Sequence, residues 1–155
     1  MKFLKITKKN LKKFLKDISF KDKSELLYFY SEKYKIEFIK NVLKNKKDTY
    51  LLADFKNNPI AIGGVKKIFH KNKSYGQIWL LCANLREKYR FSLFKVLKSK
   101  IEKYQEEHDI LFNFIFKTNF ESDLWLKSFG FKFKNLKNEN FKLFYFKKKG
   151  KTLDI

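Results

Sequence analysis

NFESDLWLKSFGF, residues 119–131, combines a helix start, a short apolar face and a helix stop. Asn119 can cap a helix, since its side-chain oxygen accepts a hydrogen bond from a free backbone N–H. One face of the predicted helix carries four residues at three- and four-residue steps: Ser122, Trp125, Leu126 and Phe129. Gly130 fits the position after a helix end, where backbone with positive φ favours glycine. The stretch therefore predicts a short helix that ends so that Phe131 enters a strand.

Hydrophobic periodicity and turn signals divide the rest of the chain into strands and helices. The predicted strands cover residues 2–6, 49–55, 60–69, 77–83, 110–116, 131–136 and 140–146. The other predicted helices cover residues 8–17, 24–45 with Ser24 as the N-cap, and 88–107. Residues 70–76 are predicted as a loop. The two most apolar strands, 77–83 and 110–116, flank the helix 88–107, which predicts a central parallel pair with a right-handed crossover.

The resulting fold class is α/β with a mixed sheet, in the order β-α-α-β-β-β-α-β-α-β-β. One domain is predicted over residues 1–147, and a basic tail over residues 148–155 that is solvated. Cys82 is the only cysteine, which excludes an internal disulfide and favours a reduced compartment. Lysines interrupt the apolar residues of the N-terminus, so we expect no secretion signal and no membrane partner.

The net charge of +21 invites a nucleic-acid interpretation. Only two of the 37 basic residues are arginines, however, and the lysines are spread along the whole chain. Richness in Phe, Asn, Ile and Tyr together with lysine is typical of an AT-rich genome, which we favour as the cause of the charge. Either way, the surface is expected to attract polyanions, nucleic acid included, with a strong dependence on salt.

The element order and the opening stretch resemble the GNAT superfamily of N-acetyltransferases. In that family the fourth helix often reads Asn-x-x-Ala-x-x-Leu-Tyr-x-x-x-Gly-Phe. The matching residues here are Asn119, Ser122, Trp125, Leu126, Gly130 and Phe131. Trp-Leu-Leu at 79–81, with Lys127 and a helix entry without glycines, resembles more narrowly the GNAT-like internal virion proteins of short-tailed bacteriophages. That resemblance implies a location in a host cytoplasm or a virion, not a secreted protein.

The resemblance also implies a site for acetyl-CoA or another acyl-CoA between the strands 77–83 and 110–116. Pantetheine would bond to the backbone of the first strand, which nominates Leu81 and Cys82. The pyrophosphate would lie on the N-terminus of the following helix, where free N–H groups favour an anion. Asn119 is a further candidate, since this asparagine can bond a CoA arm in the family; capping of its helix is an equally good interpretation.

The phosphate signature of the family, Gln/Arg-x-x-Gly-x-Gly/Ala, corresponds here to residues 86–91, REKYRF. Both glycines are replaced, by Tyr89 and Phe91, which prevents close approach of backbone to phosphate. Side chains of Arg86, Lys88 and Arg90 could bind phosphates instead. The favoured interpretation is that Tyr89 and Phe91 begin the buried face of a helix. If they also filled the gap between the strands 77–83 and 110–116, acyl-CoA could not bind in its usual pose.

The catalytic groups that are usual in the family are missing from their positions. QIWLLCA, residues 77–83, holds no carboxylate to act as general base, and Leu126 replaces the tyrosine acid. Cys82 would need a partner base to act as a nucleophile, and neither His70 nor His108 is close in sequence, so a buried free cysteine is favoured. The cysteine and histidines lack zinc spacing. Gly63-Gly64 indicates a bulge or close packing.

Three functions stay open on the sequence. The first is a phage-type GNAT-fold protein with a degenerate or remodelled acyl-CoA site, which acts by binding, in a virion or to a host component. The second is a divergent acyl-CoA-dependent N-acyltransferase. The third is a nucleic-acid-binding protein driven by charge alone. No acceptor substrate can be named, and no catalytic residue is assigned.

Overall fold

The computed structural model describes residues 1–154, which form a seven-stranded mixed sheet and five α-helices. The strands are β1 Lys2–Leu4, β2 Thr49–Ala53, β3 Pro59–His70, β4 Lys73–Cys82, β5 Ile110–Phe116, β6 Lys132–Asn135 and β7 Phe141–Lys147. The helices are α1 Lys8–Lys16, α2 Phe20–Tyr30, α3 Tyr34–Lys44, α4 Arg90–Glu107 and α5 Phe120–Ser128. The sheet order is β1-β2-β3-β4-β5-β7-β6, which confirms the predicted α/β mixed-sheet class. None of the helices in this described part is long and apolar enough to cross a bilayer.

The contacts between residues divide the chain into two compact units, and β3 and β4 run through both. One unit holds Met1–Gly64 with Trp79–Lys95, and the other holds Val65–Ile78 with the residues from Val96 onward. In the first unit, α1, α2 and α3 bury a core against the strands, with Leu11, Phe14 and Leu51 fully buried. Such residues recur three and four apart along α1 because that spacing places them on one helix face.

The predicted helix 24–45 is wrong in its start and in its continuity. The N-cap is Ser19, not Ser24, since the Ser19 side chain accepts from the backbone N–H of Asp22. The Ser19 N–H is itself fixed by a hydrogen bond to the Cys82 carbonyl at 2.9 Å. Ser31 has a φ of 57°, a left-handed conformation that ends α2 and leads through a 3₁₀ turn into α3. The predicted single helix is therefore two helices.

β4 and β5 pair in parallel, as the flanking of helix 88–107 predicted. Their ladder joins Tyr75, Gly76 and Gln77 to the segment 110–112. β4 begins at Lys73, so the predicted loop 70–76 shrinks to a two-residue turn. Lys71 and Asn72 form this turn with φ values of 47° and 60°, as a tight hairpin turn of the primed type requires.

α5 follows the prediction from the opening stretch. Gly130 has a φ of +88°. Its N–H bonds to the Lys127 carbonyl at 3.0 Å, and the Phe131 N–H bonds to the Leu126 carbonyl at 3.0 Å. These two bonds constitute a Schellman motif, which closes the helix and turns Phe131 into the second unit's core.

The basic tail is docked in the second unit as far as Asp154, contrary to the prediction that it is solvated, and Ile155 lies outside the described residues. The Lys73 ammonium donates to the Thr152 carbonyl at 2.9 Å and forms an ion pair with Asp154 at 2.6 Å. Leu153 packs against the apolar cluster that surrounds Tyr75 and Leu143. The tail is held because Lys73, which the sequence placed in a loop, begins strand β4 beside it.

Candidate functional site

The backbone at the end of β4 is already hydrogen-bonded on the side that faces away from β3. The Cys82 N–H donates to Oδ2 of Asp22 at 2.8 Å, and the Cys82 carbonyl accepts from the Ser19 N–H at 2.9 Å. The next residue, Ala83, points its N–H the other way, to the Ile60 carbonyl of β3 at 2.9 Å. Both polar backbone groups of Cys82, a predicted pantetheine contact, are therefore occupied by the start of α2.

Leu81, the neighbouring candidate, belongs to the core and is 6% exposed. Its side chain packs in the apolar cluster that also contains Leu26 of α2. A buried leucine in this position contributes to packing, and only its backbone could bond a ligand. The assignment of Leu81 and Cys82 to acyl-CoA stays a prediction.

The connection from β4 to α4 is itself helical. Residues Asn84–Tyr89 form a 3₁₀ helix that runs directly into α4 at Arg90. The Asn84 N–H donates to the Asp17 carbonyl at 2.8 Å, and the Arg86 N–H donates to the Ala83 carbonyl at 3.1 Å. A helix attracts phosphate through N–H groups that lack an internal partner. The N–H groups of Asn84 and Arg86 already have carbonyl partners within the chain, so they are not available to a phosphate.

The predicted phosphate-binding side chains lie along this 3₁₀ turn. The Arg86 guanidinium contacts the Glu87 carboxylate, with 3.4 Å between Nε and Oε1. The Lys88 ammonium lies 5.6 Å from the centroid of the Tyr89 ring. Arg90 is exposed at the start of α4. The three cations lie on one short segment, but Glu87 introduces a negative charge among them.

The favoured interpretation of Tyr89 and Phe91 is wrong for Phe91, which is 88% exposed. Tyr89 is half-buried. Phe91 and Leu93 both belong to α4 and lie two residues, or about 200°, apart around the helix axis, so Phe91 is on the face opposite the buried Leu93 and Leu97. Phe91 therefore does not fill a gap in the core.

A carboxylate reaches the end of β4 from α2, although the strand itself contains none. Asp22 is buried, and its Oδ2 accepts hydrogen bonds from the Ser19 hydroxyl and from the Cys82 N–H, both at 2.8 Å. Burial raises the pKa of Asp22, while the bonds from Cys82 and Ser19 and the charge of Arg86 oppose the rise. The sequence did not reveal it because Asp22 lies 60 positions from Cys82 and before the predicted start of its helix at residue 24.

A second carboxyl lies one helical turn further along α2. Glu25 is half-buried, and burial together with the neighbouring charge of Asp22 raises its pKa to about 7. A carboxyl that titrates near neutral pH is suited to accept a proton from an amine. Two neighbouring carboxyl groups with raised pKa, of which Asp22 contacts the end of β4, are the sort of cluster that marks functional sites and that also occurs in structural networks.

The thiol and the two glycines have structural roles, as the sequence favoured. Cys82 is 5% exposed and has no disulfide partner. Residues 1–154 contain no group of three metal-binding side chains. A Cβ atom on Gly63 would lie 2.6 Å from the Tyr50 hydroxyl, and one on Gly64 would lie 2.3 Å from the Asp48 carbonyl oxygen. The glycine pair thus serves close packing.

In the second unit, Asn119 caps α5. Its Oδ1 accepts from the Ser122 N–H at 3.2 Å, which confirms the capping interpretation and leaves a role toward CoA as a prediction. Leu126 is half-buried on the same helix and carries no proton to donate.

Asn113, which the sequence analysis passed over, bridges β4 and β5 just beyond their parallel ladder. Its Nδ2 donates to the Ile78 carbonyl at 2.6 Å, and its Oδ1 accepts from the Gln77 side chain at 3.1 Å. A side-chain amide thus takes the place of a backbone partner in this position. The signal was a single polar residue within the apolar run ILFNFIF.

The sequence and the structure were compared with those of known proteins. No protein-family model matches the chain, and no curated protein matches its sequence. Among solved structures, a ribosomal-protein-alanine N-acetyltransferase from Brucella melitensis aligns with a TM-score of 0.66 at 12% identity, covering 95% of this chain and 99% of the other. A spermidine N-acetyltransferase variant from Vibrio cholerae aligns with a TM-score of 0.65 at 12% identity, covering 95% of both chains.

A third structure, a NatC complex bound to Gag peptide and CoA, aligns with a TM-score of 0.58 at 19% identity. It covers 73% of this chain and 79% of the matched chain. At these identities the alignments show the fold alone. The chain therefore has the GNAT fold of N-acetyltransferases, and the narrower resemblance to phage virion proteins stays a prediction.

Proposed function

We propose that this chain is a GNAT-fold protein that does not hold acyl-CoA in the extended pose of the family, and that acts by binding a macromolecular partner. The observation that carries the proposal is the pairing of both backbone groups of Cys82, with Asp22 and with Ser19. A pantetheine arm that bonds to this residue would have to displace both partners.

Displacement is costly because the groups it would release are buried. Ser19 and Asp22 are 6% and 9% exposed, so neither would be compensated fully by water. An unsatisfied buried polar group costs about 1–3 kcal/mol, and more when it is charged. Two such groups cost about 2–6 kcal/mol together, which would lower the affinity for CoA by roughly 30- to 25,000-fold.

The phosphate end of the site supports the same proposal. The backbone N–H groups of Asn84 and Arg86 have carbonyl partners, and no glycine allows the chain to approach a pyrophosphate closely. Arg86, Lys88 and Arg90 offer charge, but flexible side chains do not reproduce the fixed N–H groups of a glycine-containing turn.

Glu25 favours a second candidate, a divergent acyl-CoA-dependent N-acyltransferase. Its pKa of about 7 would let it take a proton from an acceptor amine at neutral pH. In this alternative Asp22 holds the end of β4 in place, and acyl-CoA adopts a pose that does not use the Cys82 backbone. This candidate requires CoA binding, so a titration with CoA distinguishes it from the first proposal.

The test is a calorimetric and thermal-shift titration with CoA and acetyl-CoA at about 1 mM ligand and near-physiological salt. Because the protein carries a net charge of +21, 3′-phospho-ADP serves as a control that has the phosphates of CoA without pantetheine. The proposal expects equal, weak and salt-sensitive effects from all three ligands. Saturable binding of CoA at least 10-fold tighter than the control would overturn it and support the acyltransferase.

The class of partner is also part of the proposal. The sequence predicted a virion or host protein, and the GNAT fold supports neither in particular. Attraction to nucleic acid by charge alone predicts an affinity that falls steeply with salt and is insensitive to which exposed lysines are replaced. Filter binding of single-stranded DNA to single lysine variants over a salt series measures both properties.

A further inference from the structure

An open groove of about 640 Å³ lies between α1 and α3 in the first unit. Its floor is apolar and consists of Leu15, Ile36, Ile39 and Leu43. Leu15 and Ile39 are buried in the core, but Ile36 is 69% exposed. An isoleucine this exposed beside three other apolar side chains leaves apolar surface in contact with water, which a bound partner would remove.

Five lysines surround this floor: Lys8, Lys12, Lys16, Lys35 and Lys40. All five are exposed, and the groove lining includes no Asp or Glu. Within residues 1–154 none of them forms an ion pair, and the Lys35 ammonium lies 6.0 Å from the centroid of the Tyr34 ring. The groove therefore combines an apolar floor with a rim of like charges that the chain does not neutralise.

Helix geometry explains how a dispersed lysine composition produces a concentrated rim. Lys8, Lys12 and Lys16 recur every four residues, so they form one row along α1. α1 spans nine residues, which corresponds to about 13 Å at the rise of an α-helix. The groove is thus long enough for about two and a half turns of a helix lying along it.

We propose that this groove binds an acidic amphipathic helix of a partner protein. The apolar face of such a helix would lie on Leu15, Ile36, Ile39 and Leu43, with its flanking carboxylates next to the five lysines. This recognition mode places an amphipathic helix in an apolar groove, with anchors three and four residues apart. The inference deepens the proposed function and rests on it, because it names a surface and a partner class for a chain that acts by binding.

The shape and chemistry of the groove favour a peptide over the other polyanions that a basic protein attracts. The phosphate backbone of a nucleic acid would contact the lysines, but it has no continuous apolar strip for a floor that includes the exposed Ile36. An anionic bilayer presents a broad surface, whereas proteins that lie on it use a protruding apolar face rather than a groove. An amphipathic helix satisfies the floor and the rim at once.

The experiment measures binding of a fluorescent synthetic peptide of 18 residues, with leucines at three- and four-residue steps and glutamates at most other positions. A scrambled peptide of the same composition is its control. Fluorescence anisotropy at near-physiological salt should give at least 10-fold tighter binding for the amphipathic peptide, because only its leucines form one stripe. Equal binding of the two peptides would overturn the proposal, since charge alone would then explain the affinity.

Variants of the protein locate the binding. Lys12→Glu with Lys16→Glu should weaken binding of the amphipathic peptide at least 10-fold. Lys95→Glu with Lys98→Glu, which changes the same charge on exposed positions of α4, should weaken it less than threefold. Equal losses from the two pairs would contradict a site in the groove.

Ile36→Ser leaves the charge unchanged and removes an exposed side chain, so the fold should not suffer. We expect at least a fivefold loss of affinity for the amphipathic peptide and no loss for the scrambled one. An unchanged affinity for the amphipathic peptide would show that the apolar floor does not participate. Single-stranded DNA or anionic vesicles that bind more tightly than the peptide, with the same dependence on Lys12, Lys16 and Ile36, would overturn the choice of partner.

A failure of the peptide leaves the acyl-CoA question untouched. The peptide tests the groove, and CoA tests the end of β4. CoA binding with no peptide binding would refute both proposals, while absence of both would refute the groove alone.

Discussion

The end of β4 and the groove between α1 and α3 lie in the same unit, but they differ in whether their polar groups have partners within the chain. At the end of β4, the Cys82 N–H, the Cys82 carbonyl and the Asn84 N–H all have partners from within the chain. In the groove, Lys8, Lys12 and Lys16 have no carboxylate partner within residues 1–154. The resemblance to N-acetyltransferases predicts a ligand at the first place, and our proposal puts one at the second.

The proposed function holds that this chain shares the fold of N-acetyltransferases without sharing their acyl-CoA site. Function depends on the groups that a site leaves available, and a site whose donors and acceptors are satisfied internally has none to offer. The groove retains uncompensated charge and exposed apolar surface. Substitutions in each region test this comparison. The hydrogen bonds at the end of β4 should contribute to the free energy of unfolding, whereas the lysines of the groove should not.

Asp22→Ala is expected to have the largest effect on stability. The substitution removes the acceptor of the Cys82 N–H and of the Ser19 hydroxyl, both of which are buried. We expect a loss of about 2–3 kcal/mol in the free energy of unfolding, measured by urea denaturation at pH 7.

Asp22→Asn is the matched control, because its amide oxygen can still accept a hydrogen bond while the charge is removed. Its loss should be about 1 kcal/mol or less. A loss below about 0.5 kcal/mol for Asp22→Ala would mean that the end of β4 is not held by this carboxylate, and the contrast with the groove would disappear.

Glu25→Gln should change the pH dependence of the free energy of unfolding. The effect should be larger than that of substitutions at the groove lysines. The pKa of Glu25 is raised from 4.5 to about 7 in the folded state, so its contribution to stability is complete below pH 4.5 and is lost as the pH rises through about 7. Wild type should therefore lose on the order of 2 kcal/mol across this window relative to the variant.

Urea denaturation of both proteins at several pH values between 4 and 8 measures the difference. The pKa of His108 is also shifted, but this group is present in both proteins and cancels to first order. Asp22 is coupled to Glu25, so the difference between the two pH profiles belongs to this pair. Parallel pH profiles for wild type and Glu25→Gln would show that the pKa of Glu25 is not raised, and would remove the observation that favours the acyltransferase candidate.

Lys12→Glu should have the smallest effect, and of the opposite sign. It replaces like-charge contacts with Lys8 and Lys16 by two oppositely charged pairs at four-residue spacing. Each such pair stabilises a helix by about 0.2–0.5 kcal/mol, so the melting temperature should stay equal or rise slightly. Lys12→Gln, which removes the charge without reversing it, should give about half the change. A loss of stability for Lys12→Glu would mean that the lysine row serves the fold.

The parts of the fold that local chemistry determines could be predicted from the sequence. Asn119 caps α5 and Gly130 ends it through hydrogen bonds within a few residues. The sequence of this stretch was therefore sufficient to predict its helix. The parallel pairing of β4 and β5 followed from their apolar composition and from the helix between them. Each of these predictions depended on neighbours in sequence or on a general rule of topology.

The parts that depend on distant contacts could not be predicted. α2 begins at Phe20 because the Ser19 N–H bonds to Cys82, 63 positions away, and that bond also brings Asp22 to the site. Phe91 is exposed because the fold buries the face of α4 that carries Leu93 and Leu97, and Phe91 lies on the opposite face. The four-residue spacing of Lys8, Lys12 and Lys16 is present in the sequence of α1, but Lys35 and Lys40 join this row only when α3 packs against α1.

The backbone amide of Cys82 provides the most direct test of the central claim. In ¹H–¹⁵N NMR spectra of the labelled protein, its resonance should show slow hydrogen exchange without any ligand and should not move when acetyl-CoA is added to about 1 mM. The Asp22→Ala variant should lose this protection, since Asp22 accepts the bond at 2.8 Å. A fast-exchanging Cys82 amide in wild type, or a resonance that shifts and saturates with acetyl-CoA but not with 3′-phospho-ADP, would contradict the account.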